Sequence, residues 1–391
     1  MTSFFIDPTD VLLFRDGRSF SASTEDNLAV GHFPPRPTSI YGALRSAILS
    51  NADANFGVSD FGIADTPAAT VAGTQTEVGA LTLQSFTLAR RTSNGIERLF
   101  PVPFDILRRK ADAESPYSEA HFTYLTPRED PPGATNMPKG LPLLWPKAQH
   151  GEEATVYTNA SGYLPESAFR KVMEGEINHM ESGVSLDTLY TVEPRTSVAL
   201  DPETRTGREG QLFTVSFTRT DDNVGFVASV SDDEAMLGSA GWLRLGGEAR
   251  SARYTTIDLN NVHSGAEQLT EKIKSNKGRF KLALTTPAVF SKGWLPDEIN
   301  ESLEGEIAGC SVHLRGAAVG SHEHLGGWDI AAGRPKTTRR AVPAGSVYFF
   351  EMENPEEADS LVSAAPTLSL GADAALRKQG LGSAQLGTYL I

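Results

Sequence analysis

Residues 212–218 alternate, with Phe213, Val215 and Phe217 against Thr214, Ser216 and Thr218. A period of two marks a half-buried strand. Asp221-Asp222-Asn223 then predicts a turn, and residues 224–230 a second strand. Ser93-Asn94-Gly95 lies between two extended stretches within residues 81–107, where Asn-Gly predicts a hairpin. Residues 3–14 read as a strand broken at Asp7-Pro8. Ile40, Leu44, Ala47 and Ile48 recur instead at helical spacing, behind Thr38 or Ser39 as cap. Short helices are expected at 165–174, with Pro165 in the first turn, at 265–275 and at 358–364. Further strands are expected at 280–284, 308–314 and 347–350. Residues 115–150 carry seven prolines, which predicts a long surface insertion without regular elements. Its Tyr117, Phe122, Tyr124 and Trp145 are expected to dock parts of it. Strands outnumber helices, and the order is that of an α+β protein.

The chain has 391 residues, enough for two cores of ordinary size. Its 36 glycines and 23 prolines favour a turn-rich, strand-rich architecture over a helical bundle. Cys310 is the only cysteine, so no internal disulfide can form, as suits a reducing cytoplasm. No cationic leader and no apolar run of about 20 residues is visible, so neither a signal peptide nor a membrane span is expected. The formal net charge is −14. A polyanion is repelled by such a body on average, yet charges beyond about 8 Å are largely screened. Nucleic-acid binding therefore requires one local cationic surface on an acidic molecule.

Four regions could supply it. Arg15 and Arg18 flank Asp16-Gly17, where backbone N–H groups and guanidinium forks can approach a phosphate together. An exposed Asp–Arg turn is the alternative. Arg45 lies on the polar side of its helix, within reach of the same groove or simply solvated. Arg195, Arg205 and Arg208 flank an irregular polar segment that could be a hairpin finger or an ordinary loop. Arg250 and Arg253, with Arg244, surround Gly246-Gly247-Glu248; the glycines permit close backbone approach, and Glu248 could orient Arg250 or meet a base edge. Arg334, Lys336, Arg339 and Arg340 form the densest cluster, with no acid inside it. No Ser/His/Asp motif is present, and Gly320-Ser321-His322 is not a nucleophile elbow. His322, His324 and His313 lack a known zinc spacing. His32 could serve as a base for RNA cleavage, or be a surface or capping histidine; Cys310 reads as core. No cofactor or metal is expected.

Several stretches, in order along the chain, are similar to one family. They are Phe14-Arg15-Asp16-Gly17-Arg18, then Pro34-Pro35 before Tyr41-Gly42-Ala43-Leu44-Arg45; Pro194-Arg195-Thr196-Ser197 and Glu209-Gly210-Gln211; Leu245-Gly246-Gly247-Glu248; Thr286-Pro287-Ala288; and Gly327-Trp328-Asp329 before Val342-Pro343-Ala344-Gly345-Ser346. Together they resemble the third Cmr subunit of type III-B CRISPR effector complexes, a RAMP protein. The resemblance implies two ferredoxin-like (RRM-like) domains with insertions, split near residue 200 into 1–200 and 201–391. It implies a non-catalytic subunit that holds the 5′ tag of the guide (CRISPR) RNA. Its partners would be the large polymerase/cyclase-like subunit and a backbone RAMP subunit. A guide-processing, metal-independent endoribonuclease and a pure protein scaffold are the alternatives. The C-terminal Gly380-Leu381-Gly382-Ser383-Ala384-Gln385 resembles the RAMP glycine-rich loop, which adds Gly382, Ser383 and Gln385 as candidate RNA contacts. Thr388-Tyr389 departs from that pattern, where a further glycine is expected after Gly387.

Overall fold

In the computed structural model, the described residues are 1–15, 28–29, 31–52, 66–74, 77–128, 140–147, 155–231, 236–259, 265–329 and 332–389. Strand β1 (Thr2–Pro8) and the short β2 (Leu28–Ala29) precede helices α1 (Pro37–Ala52) and α2 (Pro67–Ala72). The expected hairpin is β3 (Leu83–Thr92) with β4 (Gly95–Pro101). Next come β5 (Ile106–Arg109), β6 (Phe122–Arg128), β7 (Leu143–Pro146), β8 (Tyr157–Asn159), β9 (Tyr163–Pro165) and helix α3 (Glu166–Met173). A long ribbon of β10 (Tyr190–Leu200) and β11 (Gly207–Thr220) leads to β12 (Val224–Val230), β13 (Ala240–Arg244) and β14 (Ser251–Ile257). Helix α4 (Ala266–Ser275) opens the second half, followed by β15 (Arg279–Leu284), β16 (Glu304–Ile307) and β17 (Cys310–Ala318). Four short strands follow: β18 (Glu323–Leu325), β19 (Trp328–Asp329), β20 (Arg334–Pro335) and β21 (Arg339–Ala341). The chain closes with β22 (Val347–Met352), α5 (Ala358–Ala364), α6 (Ala374–Lys378) and β23 (Ala384–Thr388).

Two sheets organise these elements. The first runs β13-β14-β1-β12-β3-β4-β9, and the second β16-β17-β22-β15-β23. Within each, four antiparallel strands share one order. Counted along the chain they are β1, β3, β12 and β14 in the first, and β15, β17, β22 and β23 in the second. Each set lies side by side as fourth-first-third-second. Helix α1 covers one face of the first sheet because Ile40, Leu44, Ala47 and Ile48 form its buried stripe, packed with Phe4, Ile6, Phe226 and Tyr254. In the second sheet, residues 285–303 form turns and isolated bridges where the first has α1.

The second sheet is buried on both faces. Phe280, Leu282, Tyr348 and Phe350 pack with Ile273 of α4 and Leu361 of α5. On the opposite face, Ala283, Val347 and Phe349 pack with Phe100, Ile106, Phe122, Phe169 and Val172. Phe100 belongs to β4 and the other four to the segment between β4 and β10, which thus forms a lid on the second unit. Lys281 points into the same layer and meets Asp105 at 2.6 Å, both side chains almost fully buried.

Three expectations need correction. The proline-rich segment is not devoid of regular structure: β6 and β7 pair within it, from Leu125↔Pro146 to Arg128↔Leu143. Pro146 sits on the edge strand β7, and Pro127 on β6 beyond the residues that pair with β5, so each has an open side where a missing N–H costs little. A boundary at residue 200 does not coincide with the sheets, since residue 200 ends β10 and β12 to β14 lie in the first sheet. The change of sheet falls between Ile257 and Arg279. The polar segment after Pro194 is regular, a ribbon paired from Tyr190↔Thr220 to Leu200↔Gly207.

Candidate nucleic-acid interface

The root of the long ribbon gathers six charged side chains around one ring. Val11 and Leu13 pack on Val215 and Phe217, and Leu12 pairs with Thr218 through two backbone hydrogen bonds of 2.7 and 2.9 Å. That pairing brings Asp10 beside the ribbon. Glu193 lies opposite Phe217, and Thr191 opposite Arg219. Arg219 donates to Asp10 at 3.1 Å and to Glu193 at 2.8 Å. Arg195 donates to Glu193 at 2.7 Å and lies 3.9 Å from Asp10. Arg250 reaches Asp10 at 3.4 Å and Glu248 at 3.0 Å. The guanidinium carbons of Arg195 and Arg250 stand 5.1 and 4.7 Å from the centre of the Phe217 ring. The backbone N–H of Val11, then Arg219 and Arg195, hold the Asp10 carboxyl below its ordinary range. Hydrogen bonds from Arg195 and Arg219 do the same for Glu193.

Sequence reasoning named Arg195 and Arg250 but missed Arg219, Asp10 and Glu193. The signal for Arg219 was present. It is the next odd position after Phe213, Val215 and Phe217, so it shares their face. Glu248 accepts a hydrogen bond from Arg250. Gly246 and Gly247 make a close backbone approach, but to Leu13: the Gly247 N–H donates to the Leu13 carbonyl at 2.7 Å. Gly246 has φ +80°, a conformation that costs glycine little.

A second cationic surface lies on the excursion between β17 and β22. There β18 pairs with β21, and β19 with β20, building a narrow ribbon whose cross-strand neighbours include His324↔Arg340 and Asp329↔Arg334. Arg334, Lys336, Arg339 and Arg340 are all exposed. Arg339 meets Asp373 at 3.1 Å. Arg334, Lys336 and Arg340 have no carboxylate within ion-pair distance among the described residues. Trp328 beside them is 58% exposed. At the ribbon's base Glu323 lies 3.6 Å from Arg36; burial pushes its carboxyl up, and Arg36 opposes that.

The remaining predicted residues are scattered. Arg15 is exposed where the described N-terminal segment ends, and Arg18 lies outside the described residues. Arg45 is half-buried. It donates to the carbonyls of Ala72 and, at 2.9 Å, Thr74, closing the C-terminus of α2. Arg205 and Arg208 are exposed near the tip of the long ribbon, with Arg208 3.6 Å from Asp201. Arg253 is exposed on the face of the first sheet away from α1, opposite Trp242.

The glycine-rich loop is a correction. Its N–H groups are engaged inside the protein: Gly380 donates to Arg377, Leu381 to Leu376, Gly382 to Pro287, Ser383 to Thr286 and Ala384 to Leu368. Ser383 is buried, and Gln385 lies within β23. The loop joins the two sheets, since the Ser383 hydroxyl faces the Gln84 carbonyl at 3.4 Å and a Cβ on Gly380 would stand 2.9 Å from Leu83. No nest of free N–H groups remains for a phosphate.

Of the catalytic candidates, His32 rests beside the Phe14 ring with its backbone N–H on the Phe14 carbonyl. Cys310 is buried, which pushes its thiol up and makes it a poor nucleophile. His313 stands 3.9 Å from Glu304, apart from the adjacent His322 and His324 rings. No group of three metal-ligating side chains converges among the described residues, and no helix among them is long and apolar enough to cross a membrane.

The chain is thus an α+β protein with two like-ordered sheets and two basic ribbons. The family model for the CRISPR-associated protein Cas_Cmr3 matches residues 4–389, and the chain belongs to that family. A type III-B Cmr-beta structure bound to cognate target RNA and AMPPnP aligns at 16% identity and TM-score 0.47, over 89% of this chain and 86% of that one. The Csm3-Csm4 subcomplex of a type III-A interference complex aligns at 12% identity and TM-score 0.36, over 90% and 93%. No curated protein matches significantly.

Proposed function

We propose that this protein is a non-catalytic RNA-holding subunit of a type III-B CRISPR effector, built from two ferredoxin-like units divided between residues 257 and 279. In that role it grips the 5′ tag of the guide RNA, beside the large polymerase/cyclase-like subunit and the first backbone RAMP subunit. Family membership supports the assembly, and the shared fourth-first-third-second strand order supports the fold. The observation that carries RNA contact is the β18–β21 ribbon. Arg334, Lys336 and Arg340 stand exposed and unpaired among the described residues, next to exposed Trp328, on a chain of net charge −14. Cations left unpaired on an acidic molecule offer charge-assisted hydrogen bonds to phosphates, and an open indole offers a stacking face to a splayed base.

The test is crosslinking of this chain to the 5′ tag in the reconstituted complex. Lys336→Glu with Arg340→Glu should reduce tag crosslinking while the isolated protein melts unchanged. Unchanged crosslinking in a folded double variant would remove the ribbon from the RNA site. Incubation with guide precursor should leave the RNA uncut; cleavage that disappears in His32→Ala would favour the nuclease reading instead.

A further inference from the structure

We propose that Arg195, Arg219 and Arg250 form a phosphodiester-binding site for single-stranded RNA that the Asp10 carboxylate closes in the free protein. The inference extends the RNA-holding role to a second place, at the root of the β10–β11 ribbon. A carboxylate and a phosphodiester each offer a pair of oxygens that a guanidinium fork can bind bidentately. Asp10 alone is met by three guanidiniums, at 3.1, 3.4 and 3.9 Å. The other two acids already hold the arginines without it: Glu193 takes Arg195 and Arg219, and Glu248 takes Arg250. Withdrawing Asp10 therefore leaves each guanidinium in place and the site one charge more positive.

The floor of the site is rigid. Phe217 is 3% exposed and lies under two of the guanidiniums, which limits their rotation. The Nε of Arg250 is buried and has no hydrogen-bond partner among the described residues. Asp10, by contrast, sits on the loop after β1 with nearly half of its side chain exposed. Glu248 is as exposed but meets Arg250 alone, so Asp10 is the acid whose replacement by a phosphate leaves all three guanidiniums still held.

The experiment measures binding of a fluorescent single-stranded oligouridylate to the full chain by anisotropy, across a salt series. Asp10→Asn should tighten binding roughly fivefold, as expected for loss of one competing exposed pair. It should also steepen the slope of log K against log salt by roughly 0.7, the value for one more phosphate neutralised. Adding Arg219→Gln should abolish the gain. Asp222→Asn, the same charge change on an exposed turn with no ion pair, should give much less. An Asp10→Asn protein that folds and binds no more tightly than the Asp222→Asn control would overturn the proposal. If Asp10→Asn fails to fold, Arg219→Gln in the native background decides: weaker binding supports the site, and unchanged binding removes it. The Lys336→Glu/Arg340→Glu protein, measured in parallel, separates the two ideas. A loss there with no Asp10→Asn gain defeats the second site alone. Absence of binding by every variant, Asp10→Asn included, defeats both.

Discussion

The two halves of this molecule share a strand order, yet they surround it differently. The first sheet has α1 on one face, and its outer strands β13 and β14 present Trp242 and Arg253 to solvent on the other. The second is enclosed, with α4 and α5 in front and the segment between β4 and β10 behind. Both interrupt their order between the second and third strands, and both interruptions produce a basic ribbon. In the β10–β11 ribbon, Arg195, Arg208 and Arg219 meet carboxylates. In the β18–β21 ribbon, three of four cations meet none among the described residues. Two clusters that look alike in a count of arginines therefore differ in the charge they show to a ligand. Strand register decides this, because it places Glu193 and Arg219 two residues apart across one ladder.

The sharpest way to break the enclosed half is its buried ion pair. Lys281→Met should cost roughly 3–5 kcal/mol, because Asp105 is left as an uncompensated charge with no access to water. Adding Asp105→Leu should recover most of that loss. Urea denaturation of the three proteins measures it. Equal stability of Lys281→Met and the native chain would mean that the lid is not held to the second sheet by this pair.

Packing gives the matched comparison. Phe349→Ala opens a cavity between the second sheet and its lid, and should cost roughly 3–5 kcal/mol. Trp242→Ala, on the open side of the first sheet, should stay within about 0.5 kcal/mol. A large loss at Trp242 would show that the outer face of the first sheet is not open to solvent.

Much of this contrast was legible in the sequence where it rested on local pattern. The stripe of Ile40, Leu44, Ala47 and Ile48 gave α1, and the alternation of Phe213, Val215 and Phe217 gave β11. The apolar run at Val347–Phe350 is the mark of a strand buried on two faces. Contacts between distant segments were hidden. Nothing near Asp10 announces Arg219 and Arg250, which stand 209 and 240 residues away. The return of β12 to β14 to the first sheet was equally invisible, since composition does not change at residue 200. The glycine-rich loop misled because glycine serves two purposes. It can free backbone N–H groups for a ligand, or allow two backbones to touch, and only the partners of those N–H groups distinguish them.

That ambiguity yields a smaller prediction. Gly382 has φ +76°, and a Cβ there would collide with the Leu370 carbonyl oxygen. Gly382→Ala should cost about 1–3 kcal/mol through strain and displacement of β23. RNA affinity, compared at a temperature where both proteins are folded, should not change. A selective loss of RNA binding with unaltered melting would return the loop to the RNA interface.

The smallest effect on stability should separate the two ribbons most cleanly. Arg334, Lys336 and Arg340 are exposed and make no ion pair among the described residues, so Lys336→Glu with Arg340→Glu should melt within about 0.5 kcal/mol of the native chain. Binding should respond far more. For single-stranded RNA each neutralised phosphate contributes roughly 0.7 to the slope of log K against log salt, so losing two contacts should flatten it by roughly 1.4. The same reversal at Arg205 and Arg208 should do less, because Asp201 already holds Arg208 and lowers the charge it offers. Salt series on the two double variants measure both slopes. Equal flattening would mean that pairing with a local carboxylate does not withhold an arginine from RNA, and the contrast between the ribbons would then be one of shape rather than charge.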